Sequence, residues 1–343
     1  VGDDRARLNL KSLARHLDLS ITTVSRALRN GPEVRKETIE RVQKAAAELG
    51  YVRDVGGLTL RTGLSYSICV LMSAASPDDI ADTGSVGLLQ GVHEVAQAAG
   101  YAVTAVPLAP GSDPIEALKT IIDGRRADGL IFDHTLPMDP RVRFLLERDF
   151  PFVTFGRTEL FTPHAWFDID DEDATYRAVR HLLASGYRRI CLINPPTEFM
   201  FSQYRLRGYR KALAEAGIGV DPRLTLDLDL TARRTRASVK DLMVQESPPD
   251  AFVCVNDITS LGMMTGLRDI GLDPADFGFC ASTTTRLIEY VEPTPVSFYF
   301  PLQEAGRRLT RLMLRRLDGE TDITKLQELA VAEMHVPTRR TAP

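Results

Sequence analysis

Only four cysteines occur in the 343 residues, at positions 69, 191, 254 and 280. They are too few and too far apart to staple a small secreted domain. Three lie inside apolar runs (ICVLM, ICLIN, FVCVND), where a thiol acts as a small hydrophobe. Neither a disulfide nor a metal site is expected. No run of 18 apolar residues exists, and the first residues, with Asp3 and Asp4, lack the apolar stretch of a signal peptide. A cytoplasmic protein with no membrane partner is the expectation. Catalytic signatures are missing too: no Gly-Lys-Ser/Thr phosphate loop, no dinucleotide glycine fingerprint, no Gly-x-Ser-x-Gly elbow. The run GSVG at 84–87 has the wrong spacing for a nucleotide loop. Neither a cofactor nor an enzymatic activity is expected.

What is present is a division of charge. With 44% hydrophobic and 26% charged residues, the chain is globular and long enough for two or three domains. Residues 1–64 hold twelve Lys and Arg against eight Asp and Glu, a net +4, whereas the remainder holds 30 against 38, a net −8. A polyanion partner suits the basic head alone, bound in a salt-sensitive way.

The head reads LKSLARHLDLSITTVSRAL over 10–28. Leu10, Leu13, Ala14 and Leu17 recur at helical spacing, a polar break follows at 18–20, and Val24, Ala27 and Leu28 mark a second helix. A third pattern puts Val34, Thr38, Ile39, Val42, Ala45, Ala46 and Leu49 on one face and stops at Gly50. None of these helices can bury its stripe alone, but three can close a miniature core. Asn9 and Ser20 stand where caps for the first two helices belong. The second helix is narrow enough for a DNA major groove. There Ile21 suits a thymine methyl, Thr22 either kind of base edge and Arg26 a bidentate pair with guanine, while Thr23 and Ser25 suit phosphates.

From 65 onward, apolar runs alternate with amphipathic patterns. Strands are expected at 67–72, 102–107, 129–132, 152–155, 189–193, 251–255, 278–281 and 296–298. Helices are expected at 86–99, 114–124, 141–148, 173–185, 205–216, 236–245, 258–270 and 302–317. The body also repeats itself, with GVHEVAQAAGYAV at 91–103 and GYRKALAEAGIGV at 208–220. Each follows a strand (ICVLM, ICLIN) and precedes an acid-ended one (DGLIFD, DAFVCVND). The pattern predicts an α/β body of two doubly wound, mostly parallel sheets, whose ligands sit beyond the carboxyl ends of the strands.

TVSRAL, the following RKETIERVQKAAAELGYV and the two-lobed body together resemble bacterial transcription regulators of the lactose-repressor (LacI/GalR) family, over essentially the whole chain. The resemblance implies a periplasmic-binding-protein-like body behind an all-α helix-turn-helix domain. The helix-turn-helix would occupy 1–53 and a hinge 54–64. A first lobe would take 65–166 and about 300–328, and a second 167–299 and about 329–343. It implies a homodimer on a pseudo-palindromic operator, because one head contacts only a half-site. It puts Ile21, Thr22 and Arg26 on base-reading positions and Ser20, Thr23, Ser25 and Thr38 on phosphate-contacting ones. Leu60 falls on the wedge that the hinge inserts into the minor groove. The hinge departs from the family pattern, with Arg53, Asp54, Val55, Gly56 and Gly57 in place of Pro, Asn and alanines. Each glycine disfavours a helix by roughly 1 kcal/mol relative to Ala, so a hinge disordered off DNA is expected. Arg35 stands where relatives often carry a Ser cap.

For a small-molecule effector, the resemblance places Arg205, in SQYRLRGY, on the residue that grips ligand hydroxyls or carboxylates, and Asn256 with Asp257 on a strand-end pair. Asp133, His134 and Asp168 fall at lobe edges facing the cleft, and Phe155, Trp166 and Phe201 can cover a pyranose. A sugar or oligosaccharide is the preferred effector, in control of carbohydrate uptake or catabolism genes. A non-sugar such as a nucleobase is the alternative, since Thr283 stands where many sugar-responsive relatives carry Asp, and Leu230 where some carry a stacking aromatic. Plainer roles stay open. Arg205 and Asp257 can pair within their lobe, His134 and His164 can be structural, Trp166 can lie in the core or at the lobe junction, and Gly156-Arg157-Thr158, which could bind a ligand phosphate, reads first as a simple strand-to-loop turn. Two rival classes are a sugar-phosphorylating enzyme and an exported sugar-binding protein. The first needs an Asp-x-Gly motif absent from 67–73, and the second has no use for a DNA-reading head.

Overall fold

A computed structural model describes residues 9–28, 31, 33–49, 51, 62–73, 84–108 and 111–337. Gly50, the glycine-rich hinge sequence and Leu60 lie outside these residues.

The head is three helices, α1 (Leu10–His16), α2 (Ile21–Ala27) and α3 (Lys36–Glu48). At the start of α1 the Asn9 side chain accepts from the Ser12 N–H at 2.9 Å, and the Ser12 hydroxyl accepts from the Asn9 N–H at 3.0 Å. Ser20 caps α2 by accepting from the Thr23 N–H at 3.0 Å, and Asp18, at φ 52°, makes the turn between the two helices. Arg35 precedes α3 and makes no side-chain cap. Leu13, Leu17, Val24, Ala27, Val42 and Ala45 form the miniature core. Leu49 does not complete the stripe: it follows the last residue of α3 and is 39% exposed. Arg41 donates to the Leu17 carbonyl at 2.7 Å, tying α3 to the turn.

In the body, β1 (Ser67–Ser73), α4 (Ser85–Ala98), β2 (Ala102–Leu108), α5 (Pro114–Asp123), β3 (Gly129–Phe132), α6 (Pro140–Glu147), β4 (Phe152–Phe155) and β5 (Trp166–Ile169) follow in order. Next come α7 (Asp171–Ala184), β6 (Ile190–Asn194), α8 (Met200–Glu215), β7 (Thr225–Asp227), α9 (Ala232–Met243), β8 (Ala251–Cys254), α10 (Asp257–Asp269), β9 (Gly278–Thr283) and β10 (Val296–Tyr299). The chain then returns through α11 (Leu302–Leu317), β11 (Gln327–Ala330) and β12 (Glu333–His335). One sheet is ordered β11-β5-β4-β3-β1-β2 and the other β12-β10-β9-β8-β6-β7. The two share a winding. Every recorded pairing is parallel except that of β12 with β10. Strands such as GLIF and AFVC are buried at every residue, as strands covered on both faces must be.

The lobe boundaries differ from expectation. Trp166 and Phe167 of β5 pair with Thr154 and Phe155, and β11 pairs with β5, so the first sheet runs to Ile169 rather than 166 and returns to Ala330 rather than 328. The strands β5, β7, β11 and β12 were not expected. They have three or four residues each and carry charge, too little alternation to stand out.

The repeated glycines have a common cause. A Cβ on Gly91 of α4 would overlap the Gln303 carbonyl of α11, and one on Gly208 of α8 would overlap the Glu172 carbonyl of α7. In each lobe a glycine lets two helices approach to backbone contact. Among the described residues, no helix is long and apolar enough to cross a membrane.

Candidate functional site

The winding of each sheet reverses between β1 and β3 and between β6 and β8, which opens a crevice beyond the carboxyl ends of those strands. The loops at these ends meet across the two lobes. The Met200 N–H donates to the Thr135 carbonyl at 2.9 Å, and the Arg157 guanidinium lies 4.0 Å from the centre of the Tyr204 ring. His134 meets Phe199 and Phe201 edge-on at 5.3 and 5.6 Å, and Arg207 pairs with Glu159 at 3.2 Å.

On the first lobe, His134 adopts φ 51°, uncommon for a residue with a side chain. Buried Arg141 holds this turn, donating to the Asp133 and His134 carbonyls at 3.0 and 2.9 Å while pairing with buried Asp139 at 2.7 Å. The His134 Nδ1 lies 2.9 Å from the Asp133 carboxylate. After β4 the chain turns at Gly156, where φ is 117° and a Cβ would sit 2.5 Å from the Thr135 hydroxyl. Thr135 donates to the Arg157 carbonyl at 2.8 Å, and so presents the Arg157 side chain to the other lobe. Arg157 Nε donates to Asp168 at 2.7 Å, with the Trp166 ring 5.7 Å away. Burial lifts the Asp168 carboxyl to about 7, against the pull of Arg157.

On the second lobe, Arg205 is 1% exposed. Its Nη1 donates to Asp171 at 2.9 Å and to Ser282 at 3.0 Å, and its Nη2 donates to the Cys254 carbonyl at 3.4 Å. Burial raises the Asp171 carboxyl, opposed by Arg205. Asp257, 2% exposed, accepts from the Thr285 hydroxyl at 2.7 Å, and burial raises it also. Buried atoms without a protein partner here include Arg157 Nη2, Arg205 Nε, Asp257 Oδ1 and, at the carboxyl end of β6, Asn194 Oδ1.

Of the residues expected at the cleft, Asp133, His134, Asp168, Arg205 and Asp257 take part in these clusters. Arg205 is at the same time paired within the second lobe's framework, through Asp171. Asn256 caps α10, accepting from the Thr259 N–H at 2.8 Å. Phe155 packs on Phe167 at 5.8 Å, against the core of its own lobe. His164 is structural, buried beside Phe152 with its Nε2 3.0 Å from the Thr154 hydroxyl. Tyr204, Phe199 and Asp171 were missed, and Arg157 was read first as part of a simple turn. Arg157 had one usable signal, its place just past a strand's carboxyl end. The four cysteines are buried and free, and burial pushes the Cys69 thiol to about 11 and Cys254 to about 12. Among the described residues, no group of three or more His, Cys, Asp or Glu could hold a metal ion.

On the head, Ile21, Thr22 and Arg26 form the exposed face of α2, with Ser20 exposed at its start. Thr23 and Ser25 are half-buried on α2, and Thr38 is half-buried on α3. Arg26 pairs with Glu33 at 3.1 Å, both side chains well exposed. Such an exposed pair is worth at most about 1 kcal/mol.

Two family models match the chain: "Bacterial regulatory proteins, lacI family" over residues 9–54, and "Periplasmic binding proteins and sugar binding domain of LacI family" over 67–278. The HTH-type transcriptional regulator AglR of Rhizobium meliloti is 31% identical over 342 residues, spanning 96% of this chain and 93% of that protein. The regulator CelR of Thermobifida fusca is 29% identical, with 92% and 94% covered, and the repressor CytR of Escherichia coli is 29% identical, with 91% and 90% covered. A solved CelR–cellobiose complex matches with a TM-score of 0.72 at 26% identity, covering 96% of this chain and 98% of that one. The lac repressor dimer bound to operator and the anti-inducer ONPF shares the fold, with a TM-score of 0.74 at 22% identity and coverages of 96% and 97%. The relatives are transcription regulators, not enzymes. With the head and the body matched separately and a relative aligned over nearly the full length, the chain belongs to the LacI family of DNA-binding transcription regulators.

Proposed function

We propose that the protein is a repressor whose hold on a pseudo-palindromic operator is set by a sugar or oligosaccharide bound between the lobes, and that it controls genes of carbohydrate uptake or catabolism. One observation carries this reading: polar and aromatic side chains of both lobes meet at the strand ends, and Arg157, Arg205 and Asp257 each keep a buried polar atom without a protein partner. Sugar hydroxyls both donate and accept, and a pyranose face stacks on rings such as Tyr204 and Phe199. The CelR–cellobiose complex, a structure of similar fold, supports a disaccharide-sized ligand.

On the DNA side, Ile21, Thr22 and Arg26 read base edges, Ser20, Thr23, Ser25 and Thr38 hold phosphates, and Leu60 wedges the minor groove at the operator centre. Two copies of the chain place their heads about one DNA turn (~34 Å) apart. A protein that meets operator DNA in this way works in the cytoplasm. The ligand must bind one arrangement of the lobes better than the other, and a coupling of ~1–3 kcal/mol makes a usable switch.

The test is selection of duplexes from a randomised pool, followed by anisotropy titrations at two salt concentrations with and without sugars. Two related half-sites, steep salt dependence and an affinity altered by a sugar are expected. Binding without sequence preference removes the operator reading. A response to nucleobases with none to sugars replaces the effector class.

A further inference from the structure

We infer that Glu33 is a positioning residue for base recognition: its carboxylate holds the Arg26 guanidinium in the attitude that meets guanine, and so sharpens the preference for that base. This rests on the base-reading role given to Arg26 above.

The loop between α2 and α3 brings the two side chains together. The Gly31 N–H donates to the Arg26 carbonyl at 2.9 Å, and the Val34 N–H donates to the Gly31 carbonyl at 2.9 Å, so the chain folds back over the end of α2. Val34 packs against the miniature core of the head, which anchors the residue before it. A Cβ on Gly31 would lie 3.1 Å from Glu33 Oε2 and 3.2 Å from the Arg26 carbonyl oxygen. Any larger residue there would crowd the carboxylate on its way to α2. With glycine in place, Glu33 Oε1 reaches Arg26 Nε at 3.1 Å.

This pairing suits the recognition of guanine. Arginine reads guanine through two N–H groups directed at O6 and N7. The guanidinium is planar, with Nε on one edge and Nη1 and Nη2 at its end, and a carboxylate drawn to Nε leaves that end for the base. Arg26 lies four residues beyond Thr22 on the exposed face of α2, so the two side chains are neighbours on the surface offered to the groove. An unrestrained arginine there samples many rotamers and meets phosphates as readily as bases. One already held at Nε has less freedom to lose on docking.

An acid beside a base-reading residue needs such a reason. The head binds DNA by charge, and the phosphates repel a carboxylate on every sequence. Stability does not supply the reason, because both side chains of the pair are exposed and such pairs add little to a fold.

The experiment uses the full chain and the operator duplex obtained by selection, with single base-pair replacements along one half-site, titrated by anisotropy. Arg26→Ala identifies the base pair that Arg26 reads, as the position whose replacement then no longer matters. Glu33→Gln and Glu33→Ala are each expected to lower the preference for guanine at that position by about threefold, within the range an exposed ion pair supplies, and to leave the other positions as they were. In the Arg26→Ala background, Glu33→Gln is expected to change no base preference. Any uniform gain in affinity from removing the charge is divided out by the ratio. A preference that stays the same, or that rises because Arg26 has been released, overturns the inference. So does an equal loss at every position, or a change that persists without Arg26. An Arg26→Ala protein whose losses fall on no single base pair instead overturns base reading by Arg26 itself. Either Glu33 variant decides the matter should the other fail to fold.

Discussion

Replacing Arg205 by Met tests what its buried guanidinium contributes to the fold. The guanidinium is 1% exposed and holds Asp171, Ser282 and the Cys254 carbonyl together at the junction of α7, α8, β8 and β9. Met refills much of the volume but leaves a mostly buried carboxylate without its cation and two acceptors without a donor. Breaking one side of such a pair costs about 3–5 kcal/mol, because the stranded charge retains its desolvation penalty. In a body of this size that corresponds to a Tm lower by roughly 10 °C. The stranded carboxyl can also escape by taking up a proton, and burial already raises Asp171. The deficit of Arg205→Met should therefore be smaller at low pH than at high pH. Adding Asp171→Asn removes the charge altogether and should recover about half of the loss, a coupling of ~2 kcal/mol between neighbours. Thermal and denaturant unfolding of the four proteins, followed by circular dichroism at two pH values, measures the cycle. A single variant within about 1 kcal/mol of wild type, or a double variant no better than the single, would refute the reasoning.

Two further outcomes follow from packing and burial. Gly208→Ala and Gly91→Ala should each destabilise by about 1–3 kcal/mol or more, since the added methyl meets carbonyl backbone of the facing helix rather than a movable side chain; denaturant midpoints equal to wild type would contradict the close approach. Burial holds the His164 imidazole at about 4, against 6.5 for the ordinary group, so the unfolded chain takes up its proton first as pH falls. Stability is then complete above about 6.5 and declines by about 3 kcal/mol as pH approaches 4, and His164→Gln should flatten that part of the profile; an unchanged slope would reject it.

Much of the architecture was legible because it is written in local periodicity. The Asn9 and Ser20 caps, the stripes of α1 to α3 and the buried runs of β3 and β8 each depend on neighbours a few residues away. The repeat glycines Gly91 and Gly208 were visible as a pattern but not as a cause, since the carbonyls they admit belong to other helices. The short strands β5 and β11 escaped notice. Each is defined by its partner, and that misplaced the lobe boundary by three residues at Ile169. Arg157 looked like part of an ordinary turn because nothing beside it in the chain marks it. Its partners, Asp168 and Tyr204, are eleven and forty-seven residues away.

By itself, then, the sequence determined a basic three-helix head, with Ile21, Thr22 and Arg26 on one face, joined to an acidic body of alternating strands and helices. Helical and strand periods, caps and charge counts are properties of the chain read in order. Only the tertiary structure decided which polar groups satisfy one another. It closed Arg205 onto Asp171 and Arg157 onto Asp168, and left Arg157 Nη2, Arg205 Nε and Asp257 Oδ1 unmatched. Those pairings depend on where two sheets end in space, and what they leave open in the cleft is set by residues that no local pattern connects.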